Sequence, residues 1–426
     1  MNLPAFSASI SPAAIVAAPP DGADSMTEPV DVIVVGGGMV GATLAALLGR
    51  SGVSVAVVEG GQAPTWSEAD PPDLRVSSVN AAAQQVFVEC GAWAAMEAGR
   101  AAPFRRLRAW DASGRGETCF EAGDAGLERF GWFVENRLIR TALWQALENL
   151  PAVTVVCPGE PLAIEQDVES VCLRLRDGHE ITGRLLVGAD GARSSIRRLA
   201  GIDMPMHDYG QHALIVNAVT TLPQQDITWQ RFTPSGPQAF LPLVGHHASL
   251  VWYDAPDNVR RLQALSDQAL IEAILGVFPA ELGGIEAILG RGSFPIRRGH
   301  ARRYRDHRLA LVGDAAHVIH PLGGQGLNLG ILDAAALARG IIRAQGQGAD
   351  VGAAAVLARY EARRRPRNAT MIAAMDAFHR VFTAPIPQLR ETAAFALGIA
   401  NQAGPMKRLV MRHAMGLPAF GRAVGL

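Results

Sequence analysis

Short continuous apolar runs alternate with helical periodicity at both ends of the chain, while the middle alternates apolar with polar positions and gathers aromatic residues. Val30–Val35 reads as a buried strand, Met39–Arg50 as a helix and Ser54–Val58 as a second apolar strand, which together make a βαβ unit. Ser78–Cys90 and Arg137–Leu150 have helical periodicity. Val153–Val156, Val171–Arg176 and Glu180–Val187 read as short strands, the last two joined by the hairpin pair Asp177-Gly178. From about Asp203 to Arg297 the texture changes, and Ile227–Phe232, Gln238–Val244 and Ala248–Tyr253 predict an antiparallel sheet. At Leu309 the apolar strand followed by a glycine turn returns, and helices run on from there. The expected class is α/β: a Rossmann-like domain with its first part over 30–202 and its second over 301–345, an inserted antiparallel-sheet substrate domain over 203–300, and a C-terminal helical region over 346–426. Residues 1–29, rich in Ala, Pro and Ser, read as a disordered tail.

Composition narrows the classes. A chain of 426 residues, 49% hydrophobic and 19% charged, buries a sizeable core, and its net charge of −1 gives no global attraction for nucleic acid. Cys90, Cys119, Cys157 and Cys172 lie far apart without a CxxC, so neither a zinc knot nor a disulfide framework is expected, and a reducing, cytoplasmic setting fits best. The tail lacks the basic start and apolar core of a signal peptide, and Met26, just before the first strand, is an alternative start to Met1. No apolar run is long enough for a membrane span.

Three strand–turn–helix segments carry the chemistry. In Gly36-Gly37-Gly38-Met39-Val40-Gly41 the first glycine allows the tight turn, Gly38 lets the backbone approach a pyrophosphate and Gly41 allows close helix packing. Glu59, at the tip of the second strand, can accept both ribose hydroxyl hydrogens and would repel a 2′-phosphate. In Leu186–Gly201 an acidic turn, Asp190-Gly191, again sits between a strand and a helix; alone it reads more readily as an ordinary helix cap, and the company of the other two turns shifts it toward the cofactor. In Leu309–Ala338 the pair Gly313-Asp314 offers a carboxylate to a polyol, and Gly323, Gly324 and Gly326 bring backbone donors close to a flat ring. Two cofactor-facing turns so far apart point to one long ligand, and the absence of a second G-x-G-x-x-G argues against a separate nicotinamide domain.

In order, spacing and strand context these segments resemble the class A flavoprotein aromatic hydroxylases, which have the fold of para-hydroxybenzoate hydroxylase. Asp73–Asn80, Phe133–Leu143, Thr228–Leu243, Ser249–Pro256 and Gly313–Leu332 are similar to the ubiquinone-biosynthesis hydroxylases, most of all to members acting on the demethoxy-ubiquinol ring, with similarity from about Val30 to Leu426. The resemblance implies an FAD-dependent monooxygenase: NAD(P)H, as a transient donor, reduces FAD, and O2 delivers one atom through a flavin C4a-hydroperoxide to the ring of a polyprenyl phenol or quinol. It implies FAD binding by Gly36, Gly38, Met39, Val40, Gly41 and Glu59 on the ADP half. Gly313, Asp314, Pro321, Gly323, Gly324, Gln325, Gly326, Leu327 and Asn328 fall to the ribityl and isoalloxazine half, with Arg75, Asn136, Arg137 and Asp190 as further contacts. No catalytic side chain is required; His320 and Pro321 are placed next to the ring, and Trp229, Phe240, Pro242 and Trp252 in the substrate pocket. Alternatives are a hydroxylase of another phenolic or polyketide substrate, or a non-catalytic flavin-binding subunit of a biosynthetic complex.

The chain departs from the family where Val318, His320 and Gly323 replace the usual Thr, Asn and Ala, which opens the question of substrate orientation. Asp314-x-x-His317 and Asp376-x-x-His379 have metal-ligand spacing, but without partner acidic helices no metal is expected. Tyr360–Leu426 carries ten basic residues against three acidic ones, a charge of +7. That excess reads either as a solvated helix face or as a surface for peripheral contact with the inner face of a membrane, or with a ubiquinone-biosynthesis complex.

Overall fold

The structure, a computed structural model, describes Ile15–Val16, residues 28–384 other than 115, 224, 279, 280 and 282, and residue 388. Most of the tail, and the basic positions from Arg390 to Arg422, lie outside the described residues. Ile15–Val16, expected to be disordered, pairs in parallel with Val155 and Val156 at the edge of a sheet.

Valine-rich runs, buried on both faces, form the parallel centre of a nine-stranded sheet. Val153–Val156, Val55–Val58, Val30–Val35 and Glu180–Gly188 are successive parallel neighbours. Leu309–Leu311, far off in sequence, lies parallel to Leu186–Gly188 on the other side of that last strand. Three strands therefore end together at one carboxyl edge, and the turns that leave them stand side by side, the arrangement in which open α/β sheets bind ligands.

The middle sheet has eight strands: His317–Val318 at one edge, then the long Ile285–His300 and Met206–Thr220, then His247–Asp254, Gly236–Pro242 and Ile227–Thr233. It also recruits Arg106–Asp111, in parallel with Ile227–Thr233, and Glu117–Glu121. The domain boundary expected at 202 is thus crossed: part of the first segment completes the substrate sheet. Polar residues at Arg106, Arg108 and Glu117 hide these strands in the sequence, because only one face of an edge region is buried. A second difference lies at Ser78–Cys90, where Val76–Asn80 is a strand and the helix begins at Ala81, capped by the Asn80 side chain on the Ala83 N–H at 2.9 Å.

The two faces of the middle sheet have different partners. One packs Leu214, Val216, Trp229, Phe240 and Leu250 against Val259, Leu262, Leu270 and Ile274 of two short helices, Pro256–Gln263 and Asp267–Leu275. The other meets the cofactor domain: the Asn217 side chain donates to the carbonyls of Pro72 and Asp73 at 3.1 and 2.8 Å.

Candidate active site

The Gly36 turn is shaped by what surrounds it. Gly36 has φ +105, and a Cβ there would stand 2.5 Å from the Ala189 carbonyl oxygen, so the first glycine turn presses directly on the Asp190 turn. Gly41 is as constrained, its Cβ position lying 1.9 Å from the Gly36 carbonyl oxygen. Gly38 differs: a Cβ there would meet no heavy atom within 4 Å, and the helix that follows has no side-chain cap. With no side chain capping its start and open space at Gly38, this helix end suits a phosphate. Glu59 accepts from the Gly37 N–H at 2.7 Å and the Gly61 N–H at 2.9 Å, which holds its carboxylate at the strand tip. The buried Trp144 indole donates to the Gly37 carbonyl at 2.7 Å; this brace was not read from the sequence, because Trp144 looks there like one more apolar helix position.

Val40 links the two distant turns. Its side chain is the nearest neighbour of the Cβ positions of both Gly313, at 3.1 Å, and Gly330, at 2.7 Å. Asp314 is exposed while Gly313, Ala315, Ala316 and His317 around it are buried. The turn packed round it partly desolvates the carboxyl even though one side is open, which raises its pKa, with His317 and Arg75 opposing the rise. Gly323 and Gly324 adopt φ +70 and +63; the Gly323 Cβ position is open, and the Gln325–Gly346 helix starts there without a side-chain cap. A second helix N-terminus is thus presented without a side-chain cap, and Arg75, whose charge acts on Asp314, is exposed over the Phe294 ring at 5.0 Å. Asp190 uses one carboxylate oxygen to cap Ser195–Leu199, and its other oxygen, Oδ1, is buried with no partner. These open glycine positions, uncapped helix starts and the orphaned oxygen fit a long cofactor carrying phosphates and hydroxyls.

Other expected contacts are occupied by protein. Asn328 donates to the Ser78 carbonyl at 2.9 Å and accepts from the Asn80 N–H at 3.0 Å, so it stitches the late helix to the Val76–Asn80 strand. Gln325 donates to the Gly323 carbonyl at 3.2 Å. Arg137 pairs with Asp70 at 2.8 Å and reaches the Thr65 carbonyl, and Asn136 accepts from Ser77 at 2.7 Å. Met39 and Leu327 pack against the main core, and Pro321 precedes the 3-10 turn Leu322–Gly324. Gly326 has Ile319 at 3.5 Å from its Cβ position.

His320 is buried among Tyr209, Tyr253 and His379, with ring centroids 4.8, 5.7 and 4.6 Å away. Its Nδ1 accepts from the Leu322 N–H at 3.2 Å, which leaves Nε2 without a partner. Burial, aided by His379, lowers its pKa to about 3, so it is a neutral ring at any working pH.

The four residues expected in the substrate pocket lie on the side of the sheet turned from the cofactor domain. Trp229, Phe240, Pro242 and Trp252 share a face through the register Trp229↔Phe240, Gln238↔Trp252 and Pro242↔Ala248, and it is the face covered by the two short helices. Alternation fixes that they point together but not which side meets the cofactor domain. On the opposite face Gln230, Ala239 and Val251 are direct cross-strand neighbours, and with Leu241 they remain partly accessible.

Beneath Gly313 lies a polar cluster absent from the sequence reading. Asp333, fully buried, accepts from His317 Nε2 at 2.5 Å, Arg364 Nε at 2.6 Å, Asn368 Nδ2 at 3.0 Å and the Gly313 N–H at 3.3 Å. Burial pushes its pKa up, but His317 and Arg364 outweigh this and hold it at about 2.

Comparison with known proteins agrees with this geometry. Residues 29–375 match the family described as FAD binding domain. The chain is 40% identical over 390 residues to the 3-demethoxyubiquinol 3-hydroxylase of Escherichia coli (strain K12), covering 92% of this chain and 99% of that protein. It is 39% identical to the ubiquinone hydroxylase UbiL of Rhodospirillum rubrum, covering 92% and 90%. A solved structure of a probable FAD-dependent monooxygenase from Pseudomonas aeruginosa superposes with a TM-score of 0.71 at 25% identity, covering 87% of this chain and all of that one.

Proposed function

We infer the reaction from a chain that belongs to the FAD binding domain family: it is an FAD-dependent monooxygenase. Its substrate is the ring of a polyprenylated phenol or quinol in ubiquinone biosynthesis, with NAD(P)H and O2 as co-substrates, and the preferred ring is that of demethoxy-ubiquinol. The 40% identity over nearly the whole of a relative with that name supports the substrate. The observation that carries the cofactor reading is Val40 between the Gly36 turn and Gly313, which makes one continuous site of two turns far apart in sequence.

Gly36, Gly38, Gly41 and Glu59 hold the ADP half, and Asp314 with Gly323 and Gly324 the ribityl and ring half. Bound FAD supplies the activation of oxygen and its transfer to an electron-rich ring. The chain orients the ring and excludes water. Ala239, Leu241 and Val251, with the Gln230 amide among them, form a mostly apolar floor on the cofactor-facing side of the sheet, with Tyr253 of the same face stacked on His320. The uncapped N-terminus of the Gln325–Gly346 helix would favour negative charge on a ring bound there. Because the tail of such a substrate sits in a bilayer, the enzyme works in the cytoplasm at the membrane's inner face; among the described residues no helix is long and apolar enough to cross it.

The test is expression in a host lacking the demethoxy-ubiquinol hydroxylase, followed by quinone analysis. Restored ubiquinone is the expected result. Accumulation of the demethoxy compound despite a folded, flavin-loaded protein refutes the substrate, and substrate-stimulated NAD(P)H oxidation with a different phenol would then support the broader hydroxylase reading.

A further inference from the structure

Many of the chain's arginines are matched to a carboxylate, among them Arg100 to Glu135, Arg308 to Asp350, Arg364 to Asp333 and Arg298 to Asp376. On one face several arginines stand together without such a match. On the Ala354–Phe382 helix Arg359, Arg363 and Arg367 follow one another at four-residue steps, all exposed, so they form one stripe. The Gln325–Gly346 helix packs against it and adds Arg339 and the exposed Arg343, again four apart. Of these five only Arg339 has a carboxylate partner among the described residues, Glu89 at 3.3 Å. After burial, the largest influences on Arg363 are Arg367, Arg339, Arg364 and Arg343, all pushing its pKa down. Such repulsion is a standing cost to the fold. Arg343 alone has an ordinary explanation, since it sits in the last turn of its helix where a cation suits the dipole.

We propose that this two-helix arginine face docks the enzyme on an anionic phospholipid surface. The proposal rests on the polyprenyl reading of the substrate and deepens it by naming the surface. The guanidinium groups project from two packed helices instead of converging in a cavity, which suits phosphates spread over a plane better than one soluble phosphate. The stripe also continues: eleven residues, close to three whole turns, separate Arg367 from Phe378. Phe378 is 37% exposed, among the few exposed large apolar side chains, and packs on Phe382 and Phe232. Phe232 lies on the cofactor-facing side of the middle sheet, so one helix joins a phosphate-binding stretch to an aromatic edge beside the substrate floor.

Flotation of the full-length holoenzyme with vesicles tests this, comparing pure phosphatidylcholine with equal parts of phosphatidylethanolamine and phosphatidylglycerol. Binding is expected only to the anionic vesicles and weakens as salt rises. Each arginine near such a surface contributes about fivefold in affinity, so the double variant Arg363→Gln, Arg367→Gln loses roughly 30-fold. Arg174→Gln, which removes one arginine charge from a face where Glu165 and Glu180 pair it, leaves binding unchanged instead of losing about fivefold. Equal binding to both vesicle types, or undiminished anionic binding by the double variant, overturns the proposal; the second result would place docking elsewhere. Capture of the wild type by an acidic protein without vesicle binding also overturns it. Turnover of a short-chain, water-soluble quinol separates the two readings. The double variant should match the wild type there, and failure of both on any quinol refutes the substrate while leaving the vesicle result to stand alone.

Discussion

Replacing Asp333 by Asn keeps the shape of the side chain and removes its charge from a site where four donors converge. Arg364, itself 5% exposed, is then left as a buried cation without a counter-charge, since its other acceptors are the Leu329 carbonyl and the Asn368 amide oxygen. Breaking a buried pair in this way costs about 3–5 kcal/mol. A second route gives a compatible figure: the Asp333 pKa falls from 3.8 to about 2, which corresponds to about 2–3 kcal/mol of favourable interaction in the folded state. The lowered pKa fixes the sign: this stability is present above the unfolded value and is lost as pH falls through about 2. Out of a total of about 5–15 kcal/mol, the loss is large enough to read by urea denaturation followed by circular dichroism. Because Asp333 also accepts the Gly313 N–H, the folded fraction of the variant should retain less flavin than wild type. A cycle with Arg364→Met isolates the pair: the double variant should be more stable than the sum of the single losses, with a coupling of about 1–3 kcal/mol. A cost below about 1 kcal/mol for Asp333→Asn, or strict additivity in the cycle, would refute the view that this charge cluster supports the Gly313 turn.

Four further outcomes follow from the site. Gly38→Ala should fold as well as wild type, its Cβ meeting nothing within 4 Å, yet lose flavin affinity, whereas Gly41→Ala, 1.9 Å from the Gly36 carbonyl oxygen, should lose stability; equal flavin retention in Gly38→Ala and wild type counts against phosphate binding there. Asp314→Ala should purify with reduced flavin absorbance at unchanged secondary structure, and full occupancy contradicts its assigned role. His320 is neutral when folded and protonates once unfolded, so it adds nothing above pH 6.5 and destabilises as pH falls toward its folded value of about 3, by about 2–3 kcal/mol near pH 4.5. Denaturation at pH 7 and at about pH 4.5 measures this, and His320→Asn should flatten the difference. Ala239→Leu should raise KM for the quinol by filling the substrate floor, while Trp229→Phe, on the helix-covered side, should leave KM alone; the reverse result would put the pocket on the other face.

Local patterns settled a good deal. The spacing of Gly36, Gly38, Gly41 and Glu59 is dictated by one turn and one strand length, so the nucleotide half was legible in the sequence, and the Gly313-Asp314 turn could be placed by the same rule. Unbroken valine runs marked the parallel sheet because strands buried on both faces need no alternation. The middle strands were visible too, but their facing was not: Trp229, Phe240, Pro242 and Trp252 share a side by alternation, and only the packing of Pro256–Gln263 and Asp267–Leu275 decides that this side is turned from the cofactor domain. Likewise Asn328 and Arg137 have the composition of cofactor ligands, yet long-range partners at Ser78, Asn80 and Asp70 occupy them. The contacts that support the site, Trp144 on Gly37 and Asp333 with His317, Arg364 and Asn368, join residues from 16 to 107 positions apart. Sequence periodicity reports which way a residue faces on its own element; which distant element it faces is set when the sheets and helices close around one core, and the tertiary structure alone records it.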